Sequence, residues 1–95
     1  MRYKEYSAII TDVCDVHDQH TRILSDKYGS RLDKRVLSDQ YDFFCMTMQG
    51  VILCASRDQD INKRDYFTLL TQYDNLKVVF KNHIETAFGV EIGGV

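Results

Sequence analysis

The segment from Asn62 to Gly89 constrains the fold more than any other stretch of the 95 residues, because its start, its period and its stop agree. Tyr66, Leu69, Leu70, Tyr73, Leu76, Phe80, Ile84, Ala87 and Phe88 recur at steps of three and four, which predicts one apolar stripe along a helix. Asn62 stands where a capping side chain is wanted, with Asp65 three positions on, and Ile61 and Tyr66 have the spacing of a hydrophobic staple. Gly89 follows Phe88 where a helix favours a left-handed residue, and Val90 is placed to pack back on Ile84. Asp74-Asn75 is the one point where a second cap would divide the helix. A stripe this long needs a core to cover.

A second helix is expected from Tyr6 to Tyr28, with apolar positions Tyr6, Ile9, Ile10, Val13, Val16, Ile23 and Leu24 and Gly29 as its stop. Its other face carries Asp12, Asp15, Asp18, Gln19 and Arg22 and reads as solvated. From Ser30 to Gln40, Leu32, Val36 and Leu37 suit a short strand or a helical turn equally, and the type stays open.

The run from Tyr41 to Ser56, YDFFCMTMQGVILCAS, is the most apolar in the chain, and its conformation decides the fold class. As a helix it keeps Leu37, Tyr41, Phe44, Met48, Val51 and Ala55 at heptad-like spacing and gives an all-α bundle of three long helices. As a β-hairpin it gives strands 43–48 and 51–56 around Gln49-Gly50, with Gly50 supplying a positive φ. Three arguments favour the hairpin. Phe, Cys, Thr, Val and Ile are mediocre helix formers; Gly50 in a helix interior costs about 1 kcal/mol against alanine; and a helix apolar all round needs cover on every side, which a chain of this length barely supplies. The expected fold is therefore α+β: a long N-terminal helix, a central hairpin with a third short strand through Val90 and Ile92 or a frayed tail at 90–95, and a long C-terminal helix packed on the sheet. The chain is short enough for a single domain.

A helix, a hairpin around a glycine turn and a long helix, carried by FFCMTMQGVILCAS and the following NKRDYFTLL, resembles the core of roadblock-type and longin-type domains. The resemblance covers about a quarter of the chain. It implies a small α/β module of the kind found in GTPase regulation and trafficking complexes. A longin domain adds a hairpin before this core, and a roadblock domain adds strands after it; neither addition is present.

Chemistry is sparse. Asp12, Cys14, Asp15, His17, Asp18 and His20 crowd into nine residues, and His17 and His20 have the spacing of two imidazoles on one helix face. His20 falls on the apolar stripe and His17 on its edge, where a hydrogen-bonded core histidine is the commoner role. Further ligands would have to come from His83, Glu85 or Glu91. Three cysteines, Cys14, Cys45 and Cys54, are odd in number and unpaired in spacing, which signals neither a disulfide framework nor a zinc site. No glycine-rich phosphate loop occurs, so no cofactor and no enzymatic activity are expected.

Twelve basic against fourteen acidic residues, a net charge of -2, give no field that would gather nucleic acid. Arg31, Lys34 and Arg35 are the basic residues suited to an anion, with Lys63, Arg64, Lys77 and Lys81 as further candidates, and Asp33, Asp39, Asp60 and Asp65 interrupt them. No run of about 18 apolar residues suits a membrane span, and the N-terminus has no secretory pattern, so the cytoplasm, or a host cytoplasm, is expected. Six tyrosines and five phenylalanines exceed what one small core needs. Tyr41, Phe43, Phe44, Tyr66, Tyr73 and Phe80 are the candidates for an interface. The chain reads as a regulatory, adaptor or inhibitor protein that binds a protein partner and self-associates. The alternatives are an oligomeric module holding a nucleotide-like anion, and a metal-dependent activity at His17 and His20.

Overall fold

The computed structural model describes residues 2–92: three α-helices, α1 (Arg2–Tyr28), α2 (Lys34–Ser56) and α3 (Lys63–Phe88), with a 3-10 turn at Gly29–Arg31 after α1. Among the described residues there is no strand. The expected α+β fold is thus corrected: the central hairpin and the third strand are absent, and the likeness to roadblock and longin cores loses its basis. The fold is the alternative, an all-α bundle.

The hairpin fails for a physical reason. In α2 the residues Leu37, Tyr41, Phe44, Met48, Ile52 and Ala55 are buried, at steps of four, three, four, four and three. That is the helical period, and full burial of each large side chain is worth about 1.5–3 kcal/mol. Against that total the helical cost of Gly50, about 1 kcal/mol, is small. A Cβ built at Gly50 meets nothing within 4 Å, so the glycine marks neither a turn nor a close approach. The helix starts at Asp33, whose side chain accepts from the Arg35 N–H at 2.9 Å.

The ends of α3 match the sequence reading. Asn62 Oδ1 accepts from the Asp65 N–H at 2.8 Å, and Gly89 adopts the left-handed conformation at φ 65°. Asp74-Asn75 leaves the helix unbroken. Gly29, at φ 56°, ends α1. Beyond α3, Val90 and Ile92 tuck into the core, and the Ile92 N–H donates to Glu85 Oε2 at 2.8 Å. The rest of the expected frayed tail, 93–95, lies outside the described residues.

Polar links fix how α1 meets α3. Ser7 Oγ donates to Gln72 Oε1 (2.9 Å), and Gln72 Nε2 donates to the Ser7 carbonyl (3.0 Å) and to Thr11 Oγ1 (3.2 Å). Farther along, His83 Nδ1 lies 2.9 Å from Asp18 Oδ1, and Ser25 Oγ donates to the Ala87 carbonyl at 3.3 Å. The pairs rise together in both helices, so α1 and α3 are parallel and α2 runs antiparallel to them. In the α2–α3 connection Asp58 accepts from the Asp60 N–H, the Tyr6 hydroxyl and Arg2 Nε, each at 2.9 Å, which holds its carboxyl below the usual range. One core joins Ile10 and Cys14 of α1 to the α2 stripe and to Leu69, Tyr73, Phe80, Ile84 and Phe88 of α3. The bundle is slender, 46 × 24 × 16 Å.

Candidate functional site

The seam between α1 and α2 differs from the α1–α3 seam. No side-chain hydrogen bond or ion pair crosses it among the described residues; it is closed by apolar contact and left partly open. Ile9, Asp12, Val13, Val16 and His17 of α1 and Phe43 and Thr47 of α2 line a groove of about 340 Å³. Ile9, Val16 and Ile23 remain 44%, 63% and 61% exposed, and Phe43 61%. Large apolar side chains open to this degree and aligned along one face make this the candidate docking surface.

The alignment follows from sequence. Ile9, Val16 and Ile23 are seven apart, so they stay in line on a helix, offset from the buried Ile10, Cys14 and Thr21. On α2, Val36, Phe43 and Gly50 repeat the same step. Because the helices are antiparallel, Ile23 lies level with Val36, Val16 with Phe43, and Ile9 with Gly50. The expectation that Ile9, Val16 and Ile23 belong to the buried stripe is corrected. The apolar arc of α1 is wider than the bundle needs, and its outer margin is open.

His17 sits under this groove. Its ring meets Phe43, Phe44 and Phe80 edge-on, with centroids 5.5, 5.5 and 5.9 Å away, and its Nδ1 is buried without a hydrogen-bond partner. Burial, and then the neighbouring His20, hold its pKa below the ordinary histidine value. His20 is exposed, so the two histidines exchange the positions that the sequence reading gave them. Among the described residues no group of three metal-ligating side chains comes together. His83 engages Asp18, and Glu85 accepts the Ile92 N–H. Cys14, whose Sγ lies 3.9 Å from Asp18 Oδ2, is pushed up to about 11 by burial and by that carboxylate, the reverse of an activated thiol.

Of the six aromatic interface candidates, Tyr41, Phe44, Tyr73 and Phe80 lie in the core. The rings of Phe44 and Phe80 are 4.4 Å apart. Tyr66 is half-buried beside Phe67, and Phe43 alone of the six is open, in the groove. A second depression, of about 450 Å³, lies between α2 and α3 and is lined by Tyr41, Asp42, Cys45, Met46, Gln49, Tyr73 and Lys77; the lysine is 3.9 Å from Asp74 Oδ1, and Asp42 adds a negative charge. Burial, with Cys45 alongside, pushes Tyr73 up to about 12 and raises Tyr41 as well.

The basic cluster is not assembled as a cradle. Arg31 donates through Nε and a terminal nitrogen to the Tyr28 and Lys27 carbonyls, 3.2 and 2.9 Å away, closing the end of α1. Lys34 and Arg35 are exposed in the first turn of α2. No helix among the described residues is long and apolar enough to cross a membrane. Compared with protein-family models, with curated proteins and with solved structures, the chain matches none, and the functional reading stands on this geometry.

Proposed function

We propose that this chain acts as a regulatory, adaptor or inhibitor-type protein, binding another protein chain through the α1–α2 face. The observation that carries the reading is the open apolar line Ile9–Val16–Ile23 beside Phe43, with no polar bond across the seam. Such a face suits an amphipathic helix laid along the groove, whose anchors would repeat at the same three-, four- and seven-residue steps. Catalysis is not part of the proposal, because the one histidine in the groove presents a buried Nδ1 and the nearby thiol is held protonated. Three free cysteines fit work in a reducing compartment such as the cytoplasm.

The test is capture from native extract with the purified chain as bait, beside Val16→Asp and Phe43→Asp variants. Both side chains are mostly exposed, so the fold tolerates the change, and circular dichroism checks it. Proteins retained by the wild type and lost by both variants support the reading. A retained set that neither variant alters overturns it.

A further inference from the structure

We propose that the α1–α2 face receives a basic amphipathic helix of another protein, its apolar side seated on the Val16–Phe43 groove and its flanks carrying Lys or Arg against aspartates on both rims. The inference rests on the reading of this face as a protein-docking surface and states the chemistry of what docks there.

The negative charge of the chain is gathered at this groove. The segments that bear it, 9–23 of α1 and 36–50 of α2, hold five aspartates, one arginine and no lysine, while the whole chain has 14 acidic and 12 basic residues. The remainder is therefore slightly basic, and a cationic partner is drawn to this face rather than to the molecule at large.

Helix geometry sets four of the five aspartates on the rims. Asp12 lines the groove one turn before Val16, and Asp15, three residues after Asp12, continues the edge that faces away from α2. On α2, Asp39 lies one turn before Phe43, and Asp42, three residues after Asp39, continues the edge that faces away from α1. Because Val16 is level with Phe43, all four carboxylates fall within about 6 Å of that level along the helix axes. All four are exposed, and none makes a hydrogen bond or ion pair among the described residues. Other carboxylates are engaged: Asp18 with His83, Asp58 with Arg2 and Tyr6, and Asp33 as the cap of α2.

Like charges one turn apart weaken a helix, and here both helices carry such a pair at one level. A cation laid along either rim relieves that repulsion. The cations of the two helices stand apart from it: Lys27, Lys34 and Arg35 toward the Ile23–Val36 end, Arg22 two turns past Asp15, and Arg2 at the other end, held by Asp58 and Glu5. Between the rims the floor is apolar, and the line Ile9–Val16–Ile23 extends about 21 Å, which a helix of about 14 residues matches with anchors at the same seven-residue step. At the Ile9 end Gly50 leaves space, with no atom within 4 Å of where its Cβ would stand, so that level admits the largest anchor.

The test is selection from a displayed library of helical peptides about 18 residues long, with apolar anchors at steps of three and four and the flanking positions randomised. The target is the purified full chain. Recovered peptides are expected to carry Lys or Arg on their flanks. Their affinity is expected to fall about tenfold for a chain with Asp12→Asn, Asp15→Asn, Asp39→Asn and Asp42→Asn together, and at least about tenfold for Phe43→Ala. It should also weaken as salt rises from about 0.05 M to about 0.5 M. Circular dichroism checks that both variants remain helical. Peptides that depend on Phe43 but show no excess of Lys or Arg, or that bind the four-Asn chain as tightly as the wild type, overturn the proposal and leave the docking face standing. Peptides indifferent to Phe43→Ala, or a library that yields no binder, overturn both. A free chain that sediments as a dimer, and as a monomer with Phe43→Ala, gives the face to a second copy and overturns the proposal.

Discussion

Gly50 is the residue on which the helix and the hairpin make opposite predictions. In the structure it lies within α2 without the positive φ of Gly29 and Gly89, and a Cβ placed on it meets no atom within 4 Å. Gly50→Ala therefore removes the helical penalty of glycine and adds no clash. Stability should rise by about 1 kcal/mol, which for a domain of this size is about 4–8 °C in Tm. Gly89 supplies the contrasting case: its Cβ site is also open, but its φ is 65°. Gly89→Ala puts a side chain into the left-handed region, at a cost of about 1–2 kcal/mol. The two substitutions thus differ in sign, although neither touches a neighbour. The measurement is urea denaturation, with the slope held as a check on compactness. A loss of stability at Gly50→Ala comparable to that at Gly89→Ala would mean a turn at residue 50, and the helical account of α2 would fall.

Four further outcomes follow from the core and its titratable groups. His17, with a depressed pKa, binds fewer protons folded than unfolded as acid is added. Its contribution is therefore present above about pH 6.5 and falls away below it. His17→Leu, which also removes the unpartnered Nδ1, should flatten that acid limb and raise stability at neutral pH by about 1 kcal/mol. The raised pKa values of Tyr73 and Tyr41 work at the other end. Their stabilisation is complete below about pH 10 and is lost as pH climbs towards about 12, so their phenolate absorbance should appear together with unfolding. Among the thiols, Cys54 should react with a disulfide reagent at once, and Cys14, buried and raised to about 11, only on unfolding; mild oxidation should form no Cys45–Cys54 link, since nine residues of helix set them on opposite faces. Phe44→Ala, in the centre of the core against Phe80, should cost about 3–5 kcal/mol by thermal melting, and a loss below about 1 kcal/mol would show that the three helices do not share this core.

Helix ends were legible because one residue specifies each: Asn62 as a cap, and Gly89 and Gly29 as left-handed stops. Asp33 carries the same kind of signal, but the mixed charges around it obscured the start of α2. The middle run was illegible for a different reason. When nearly every position from 41 to 56 is apolar, a period of two and a period of 3.6 both fit, and the choice falls to weak propensities that tertiary burial overrides. The objection raised against a helix there, that it lacks cover on every side, describes the structure correctly. Phe43, Met46 and Leu53 are uncovered, and of these Phe43 lines the α1–α2 groove. On α1, a sequence defines the width of an apolar arc but not which margin meets the neighbours. A rotation of one position about the axis exchanged the roles of His17 and His20 and hid the line Ile9–Val16–Ile23.

The slender outline of the bundle governs its drag in solution. A radius of gyration of 14.6 Å, against about 12.4 Å for a compact chain of 95 residues, gives a monomer that tumbles slowly and leaves a gel-filtration column ahead of a sphere of its own mass. Elution volume therefore overstates its mass, and light scattering is the measurement that reads the mass free of shape.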